Sequence, residues 1–475
     1  MYQLITLGAA CAVILPILFF TKSGSEARVR VIKILTLVFC AVGFFRQWLA
    51  DSIYLVINGG YFEGALYNAQ DTLQMIIRWG YFISYSVIPM AAFLKTRLFK
   101  NLAGYIALPF AILSTVFFDD FMVYFTDPRA HGFMLEYGWR AAYFIIELAL
   151  AIALPILIHI NEKHIFRFKS VSEWVNFFVG AIFCVVVCMP SYVPQAFIGY
   201  AQLMPDMFSN YHIIWIAVIL VVCVGLYYGF RFRSYEVRYA LCLFLAIALF
   251  FHYNSLYLMG FTLKRLPFQF CNIAAYFFLI ATVFKLTKFF HFCFLANTVG
   301  TLIAIIGPDF GYGNTSFWNV HFLYEHAFVL IIPALLAGLR IFPRVTPKSI
   351  KHMAVGFTIY FMFCFILGTI LNGYSDITGE LVNYFYMFDL EIAFDYFPFL
   401  TFTGDYSFDI GRFTVYPLVV AFTYLGFFLL CMLYYLFVRL LYKFEDDHLA
   451  LRASGIDLYE KITGKTSRRP KQYID

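Results

Sequence analysis

Apolar runs of roughly twenty residues follow one another along the whole chain, each closed by a short cluster of charged or polar residues. A helix rises about 1.5 Å per residue, so a run of that length spans the roughly 30 Å hydrocarbon core of a bilayer. The pattern predicts thirteen spans, at 2–20, 31–49, 76–94, 102–118, 140–158, 174–197, 211–230, 239–258, 268–284, 291–308, 324–341, 352–374 and 413–437. In lipid every backbone polar group has to be bonded within its own segment, so spans of this composition are read as helices. The expected fold is all-α and polytopic. The first run has no basic stretch before it and no small-residue cleavage site after it, and therefore reads as a span and not as a signal peptide.

Composition agrees with the pattern. The chain is 62% hydrophobic and 13% charged, with a mean hydropathy of +0.78. Soluble domains run at roughly 45–50% apolar and about 25% charged. The net charge of +6 is dispersed over many loops and does not form a nucleic-acid surface. Its distribution is more informative than its sum. Basic residues gather in the loops after odd-numbered spans, as in Lys22, Arg28, Arg30 and Lys33, or Arg340, Arg344, Lys348 and Lys351. Acidic residues gather on the other side, as in Asp119, Asp120, Asp127 and Glu136, or Asp376, Glu380 and Asp389. The excess of Lys and Arg on cytoplasmic loops then predicts an N-terminus outside and a C-terminus inside. The expected location is the cell membrane, as a multi-pass protein of a bacterial plasma membrane.

Two stretches read alike. A span ending Gly43-Phe44-Phe45-Arg46 resembles one ending Leu249-Phe250-Phe251-His252, and Val179-Gly180 with Cys188 beyond it resembles Val355-Gly356 with Cys364 beyond it. We read two six-span units in tandem plus a final span; six crossings being even, the units are parallel repeats. The domains follow: 1–200 as a degenerate first repeat, 208–440 as the second repeat with its final span, and 441–475 as a basic cytosolic tail. The alternative is that apolar spans resemble one another whatever their origin. The repeat matches Arg46, Arg78 and Arg140 of the first unit to His252, Cys271 and His326 of the second. These arginines either snorkel to the interface from span ends or line an anion pocket for a headgroup, which their planar forks of donors suit.

The ten cysteines fall in or beside apolar runs, with no CxxC spacing, so neither a disulfide framework nor a zinc site is expected. No cofactor is expected. Cys271 and His326 stand apart because each begins a span at the same predicted face. A thiol whose proton is taken by an imidazole is a nucleophile able to carry an acyl group. Asp309 or Glu325 could orient the imidazole, while His252, Asn272 and Asn297 are polar groups in the same spans and candidates for substrate binding. The stretch 371–412 is long for a connection and rich in Tyr, Phe and Leu, so interfacial helices are expected there.

From Phe208 to about Leu430 the chain resembles the YwaF and transmembrane protein 164 family. The resemblance is carried by Phe208-Ser209-Asn210-Tyr211-His212, by Leu266-Pro267-Phe268-Gln269-Phe270-Cys271, and by Gly300 leading to Gly307-Pro308-Asp309. His326, Asn383-Tyr384, Met387-Phe388 and Tyr416-Pro417 continue it in order. The family usually carries His where this chain has Gln269. The resemblance implies a membrane-embedded acyltransferase that moves fatty acyl chains between phospholipids through Cys271 and His326, with Asn383 and Tyr384 near the substrate.

Three functions follow from these readings. The first is a lipid acyltransferase or acyl hydrolase at the outer leaflet, with membrane phospholipid as its partner, Cys271 as nucleophile, His326 as base and Asp309 as orienter. The second is a lipid or small-molecule transporter or flippase, for which parallel repeats and intramembrane Arg are ordinary; against it we read no acidic residue in mid-span and no Walker motif. The third is a non-catalytic scaffold whose basic tail meets anionic lipid or a cytosolic partner.

Overall fold

The computed structural model describes residues 1–49, 69–125, 135–162, 168–198, 205–259, 261–308, 310, 313–375, 381–388, 394, 398–410 and 413–464. Helices account for nearly all of it. They are α1 Tyr2–Phe20, α2 Glu26–Leu49, α3 Ala69–Phe82, α4 Ser84–Phe93, α5 Arg97–Leu102, α6 Leu108–Val116, α7 Phe118–Phe125, α8 Tyr137–Asn161 and α9 Val171–Val187. The series continues with α10 Tyr192–Ile198, α11 Asn210–Phe230, α12 Tyr235–Asn254, α13 Phe270–Phe284, α14 Thr287–Ile306, α15 Phe317–Gly338, α16 Pro347–Gly373 and α17 Pro417–Thr463. A π-helical turn at Ala103–Ala107 joins α5 to α6.

Among the described residues ten helical stretches are long and apolar enough to cross a membrane. An eleventh would be α9 with α10, if one span is bent by 91° between them. The expected span at 174–197 is therefore not straight. Pro190 lies in the break; it cannot donate a backbone hydrogen bond, and the residue before it is pushed out of the helical region. The expected span at 268–284 is a helix of only 15 residues, α13.

Capping chemistry sets several ends. Ser170 accepts from the Glu173 backbone N–H at the start of α9. Thr346 and Ser349 bond reciprocally around the first turn of α16, with Pro347 at its first position. Lys285 closes α13 in the left-handed conformation, its N–H on the Ala281 carbonyl. The last expected span and the tail as far as Thr463 are one helix, since α17 runs 47 residues without a break, a length of about 70 Å.

The described chain divides into two compact units. Unit 1 is Met1–Ser209 with Phe244–Arg265 and Asp309–Glu325; unit 2 is Asn210–Leu243 with Leu266–Pro308 and His326–Asp475. The division falls inside α12 and inside α15. Burial separates the helices by role. The most apolar window of Tyr235–Leu258 is 94% buried, whereas that of α11 is 6% and that of α1 is 11%. A helix that exposes so many Ile, Val and Leu side chains finds its stable solvent in lipid.

The interfacial helices expected in 371–412 fall in part on 376–380, 389–393, 395–397 and 411–412, which lie outside the described residues. The described part holds short 3-10 turns at Tyr384–Tyr386 and Pro398–Asp405, then an antiparallel pair of strands, β1 Phe408–Ile410 and β2 Phe413–Val415. Phe408 stands opposite Val415 and Ile410 opposite Phe413. The acidic residues Asp376, Glu380 and Asp389 lie outside the described residues.

Candidate functional site: a pinned helix end in unit 2 and two buried polar networks in unit 1

The N-terminal end of α13 carries Cys271 in its first turn, behind the cap residue Gln269. The backbone leading into the thiol is held from three directions. Asn297 of α14 donates to the Phe270 carbonyl at 2.6 Å. Tyr360 of α16 donates its hydroxyl to the Phe268 carbonyl at 2.9 Å. Gln269 donates to the Asn383 carbonyl at 2.6 Å and accepts from the Phe385 N–H at 3.1 Å. Phe270 itself is buried, with Phe292, Phe357, Tyr360 and Phe385 around its ring.

Close packing reinforces these bonds. A Cβ on Gly300 would stand 3.2 Å from the Phe270 Cβ, so α14 approaches α13 here through a residue without a side chain. The segment at 382–388 is tied as tightly. The Asn372 side chain bonds both the N–H and the carbonyl of Val382, at 2.8 and 3.0 Å. Asn383 accepts from the Phe388 N–H at 3.0 Å. Phe385 sits at φ 55°, a left-handed conformation that costs a residue with a Cβ about 1–2 kcal/mol.

The expected residues distribute as follows. Cys271 is half-buried, and its thiol lies 3.0 Å from the Asn272 side-chain oxygen. Asn297 is fully buried and serves the Phe270 carbonyl, which makes it a positioning group. Asn383 and Tyr384 lie on the segment that Gln269 fastens, with the buried Tyr384 ring edge-on to Phe268 at 5.8 Å. His326 is buried in α15 and belongs to unit 2, as Cys271 does. Asp309 lies outside the described residues. His252 is buried in unit 1, at the end of α12.

Arg46, Arg78 and Arg140 are also buried in unit 1, each about 5% exposed. Arg46 donates to the Glu147 carboxylate at 2.7 Å and to the Tyr85 hydroxyl at 2.8 Å. Tyr81 and Tyr85 both donate to the other oxygen of Glu147, at 2.6 and 2.7 Å. Three donors on one carboxylate satisfy a buried charge. Arg46 and Arg78 line one small cavity with Gln47 and Tyr192, and the Arg78 guanidinium lies over Tyr192 at 5.9 Å. Arg140 lies over the Tyr137 ring at 5.7 Å and does not line that cavity.

Glu147 corrects one reading of the sequence. It is an acidic residue in mid-span, near the centre of α8, and it is 0% exposed. The signal was legible, since Glu147 lies well inside the predicted span at 140–158.

The second network of unit 1 gathers around the bend between α9 and α10. Ser191 lies in the bend, with its hydroxyl 2.9 Å from His252 Nε2 and 3.3 Å from His321 Nδ1. His321 Nε2 stands 4.0 Å from Glu325, one turn further along α15. Ser191 and His321 carried no signal in the sequence, because their meeting needs three segments far apart in the chain.

Long apolar helices with buried polar networks define a multi-pass α-helical membrane protein. Within it, residues 207–435 match the family model described as the TMEM164 family. That segment holds Cys271, Asn297, His326, Asn383 and Tyr384. No curated protein and no solved structure matches the chain.

Proposed function

We propose that this membrane protein is a lipid acyltransferase or acyl hydrolase in which Cys271 is the nucleophile and His326 the general base. The observation that supports it is the placement of Cys271 in the first turn of a helix whose leading end is pinned by Asn297, Tyr360 and Gln269. Aligned peptide dipoles favour negative charge at that end, first on a thiolate and then on the oxyanion of an attacked ester. A held backbone keeps the sulfur in one place for attack.

The step balances without a cofactor. His326 takes the thiol proton, and sulfur bonds to the acyl carbon of a phospholipid ester. The ester C–O bond breaks, and the departing alkoxide takes the proton from His326. A second hydroxyl, or water, then attacks the thioester, gives its proton to His326, and returns Cys271 as the thiol on the same proton. A phospholipid already resides in the bilayer, so the acyl chain reaches the helix end from the lipid side. Asn272 accepts from the thiol in the resting state.

The test is labelling of the full-length protein in lipid with a thiol-reactive acyl probe. Labelling at Cys271 that is lost in Cys271→Ala and slowed in His326→Gln supports the reading; equal labelling in both variants overturns it. Oxidative cross-linking of Cys271 to a cysteine introduced at His326 reads their approach directly, because a disulfide needs Cα atoms within about 7 Å.

Glu147 supports a second reading, a transporter. A fully buried carboxylate in mid-span, shared between an arginine and two tyrosines, is the kind of group that couples movement to a cation or proton. A transporter tolerates Cys271→Ala and fails in Glu147→Gln. Both readings keep the N-terminus outside, the α17 tail on the cytosolic side of a bacterial plasma membrane, and two parallel six-helix repeats. Labelling of single cysteines placed in the loops from either side tests that topology.

A further inference from the structure

Ser191, His252, His321 and Glu325 come from three stretches of unit 1 and meet in its interior. Ser191 and His252 are 0% exposed, and His321 and Glu325 are 4% exposed. The Glu325 carboxyl has one oxygen 4.0 Å from His321 Nε2, and the other is buried with no hydrogen-bond partner among the described residues. A carboxylate buried without donors is strongly disfavoured as an isolated ion. Glu325 is therefore either a neutral acid or balanced by an imidazolium beside it.

The serine hydroxyl makes the two histidines one system. It has one proton to donate and lone pairs to accept. Lying within reach of His252 Nε2 and His321 Nδ1, it donates to one ring and accepts from the other. Fixing either end sets the direction of every bond between. If His252 Nε2 accepts, Ser191 donates to it, His321 Nδ1–H donates to Ser191, and His321 Nε2 is left as an acceptor toward Glu325. The opposite order reverses each bond. The two imidazoles also stack, with ring centres 5.2 Å apart and planes at 13°. Two stacked imidazolium ions repel, so the pair carries at most one positive charge.

We infer that these four residues form a proton-binding relay in the membrane interior. In one state Glu325 is a carboxylic acid and His252 a neutral imidazole. Glu325 passes its proton to His321 Nε2 once that gap closes to hydrogen-bond distance. His321 passes its Nδ1 proton to Ser191, and Ser191 passes its own to His252 Nε2. The result is a Glu325 carboxylate and a His252 imidazolium, with one proton moved and none gained or lost. The ligand is the proton itself, and the inference stands apart from the chemistry at Cys271.

Among the described residues, aromatic rings pack against the relay. The Tyr324 ring stacks on His252 at 3.5 Å, and its hydroxyl is bonded to the Val187 carbonyl. The Tyr253 ring lies 5.9 Å from His321, and Phe317 stacks on the same imidazole at 5.6 Å. Two guanidinium groups lie over rings beside the relay, Arg265 over Trp318 at 5.0 Å and Arg78 over Tyr192, the residue after Ser191, at 5.9 Å. The Gln195 amide oxygen accepts from the Phe317 N–H and fixes the start of α15 against α10.

The test is a pH titration of the full-length protein in lipid, read by infrared difference spectroscopy and by nitrogen chemical shifts of labelled histidine. A protonated-carboxyl band that vanishes with rising pH and is missing in Glu325→Gln is expected. The His252 nitrogen shifts move in the same titration, and Glu325→Gln alters them. Ser191→Ala keeps the carboxyl band and separates its titration from that of His252. A carboxyl band absent at every pH, or His252 signals indifferent to Glu325→Gln, overturns the relay. If Ser191→Ala does not fold, the Glu325→Gln comparison decides alone.

Discussion

The Arg46 guanidinium and the Glu147 carboxylate lie 2.7 Å apart in unit 1, with side-chain exposures of 6% and 0%. They are 101 residues apart in the chain. Each would be costly to bury alone, and each makes the other tolerable.

Removing one partner should therefore cost far more than removing both. Glu147→Gln or Arg46→Gln is expected to destabilise by about 3–5 kcal/mol, because the remaining charge stays buried. The paired change Arg46→Met with Glu147→Leu should recover most of that loss. Thermal unfolding in detergent or nanodiscs measures both; a double variant no more stable than the singles would mean that the ion pair is not what holds these helices.

Gln269 links the end of α13 to the segment at 383–388 through two bonds. Gln269→Ala should cost about 1–3 kcal/mol, since the Phe385 N–H loses its acceptor in a partly buried place. Phe385 then has less reason to hold its left-handed conformation. Hydrogen exchange at 383–388 should rise, while exchange in α1 and α2 stays as it was. Uniform protection across both regions would contradict the fastening.

Gly300 admits α14 to the backbone of α13. Gly300→Ala places a Cβ 3.2 Å from the Phe270 Cβ and should shift the pinned end by a few tenths of an ångström. Gly300→Val should be worse, by about 1–3 kcal/mol of overpacking. If Cys271 reacts with acyl esters, both changes should slow its labelling at unchanged protein yield. Labelling rates equal to wild type in Gly300→Val would show that the position of this helix end does not matter to the thiol.

Arg344 fastens the tail part of α17. It pairs with Glu445 and with Asp446, the latter at 2.5 Å, and donates to the Tyr442 carbonyl at 3.1 Å. Tyr227 donates to the same Glu445. These groups are partly exposed, so Arg344→Gln should lower global stability by no more than about 1 kcal/mol. Its effect should be local instead: faster exchange at 440–463, approached in wild type by raising the salt concentration. Equal exchange in wild type and variant would mean that the long helix stands without this contact.

Much of this molecule was legible along the chain. The expected spans at 2–20, 211–230 and 291–308 coincide closely with α1, α11 and α14, since apolar length alone dictates a helix in lipid. Cys271 was singled out from its place at the head of a span, and it does lie in the first turn of α13. The bend at Ser191 was missed, although Pro190 was there to be read. The tail was separated from the last span because charge marks the edge of the membrane, whereas helix propensity and hydrogen bonding run on through it.

Periodic apolarity is a local property, and it determined by itself that this is a multi-pass helical protein and roughly where its helices lie. Which buried polar groups meet is not local. Glu147 finds Arg46, and Ser191 finds His252 and His321, only once helices distant in sequence have packed. In a low-dielectric interior those encounters decide which charges are tolerable, and only the tertiary structure could make them.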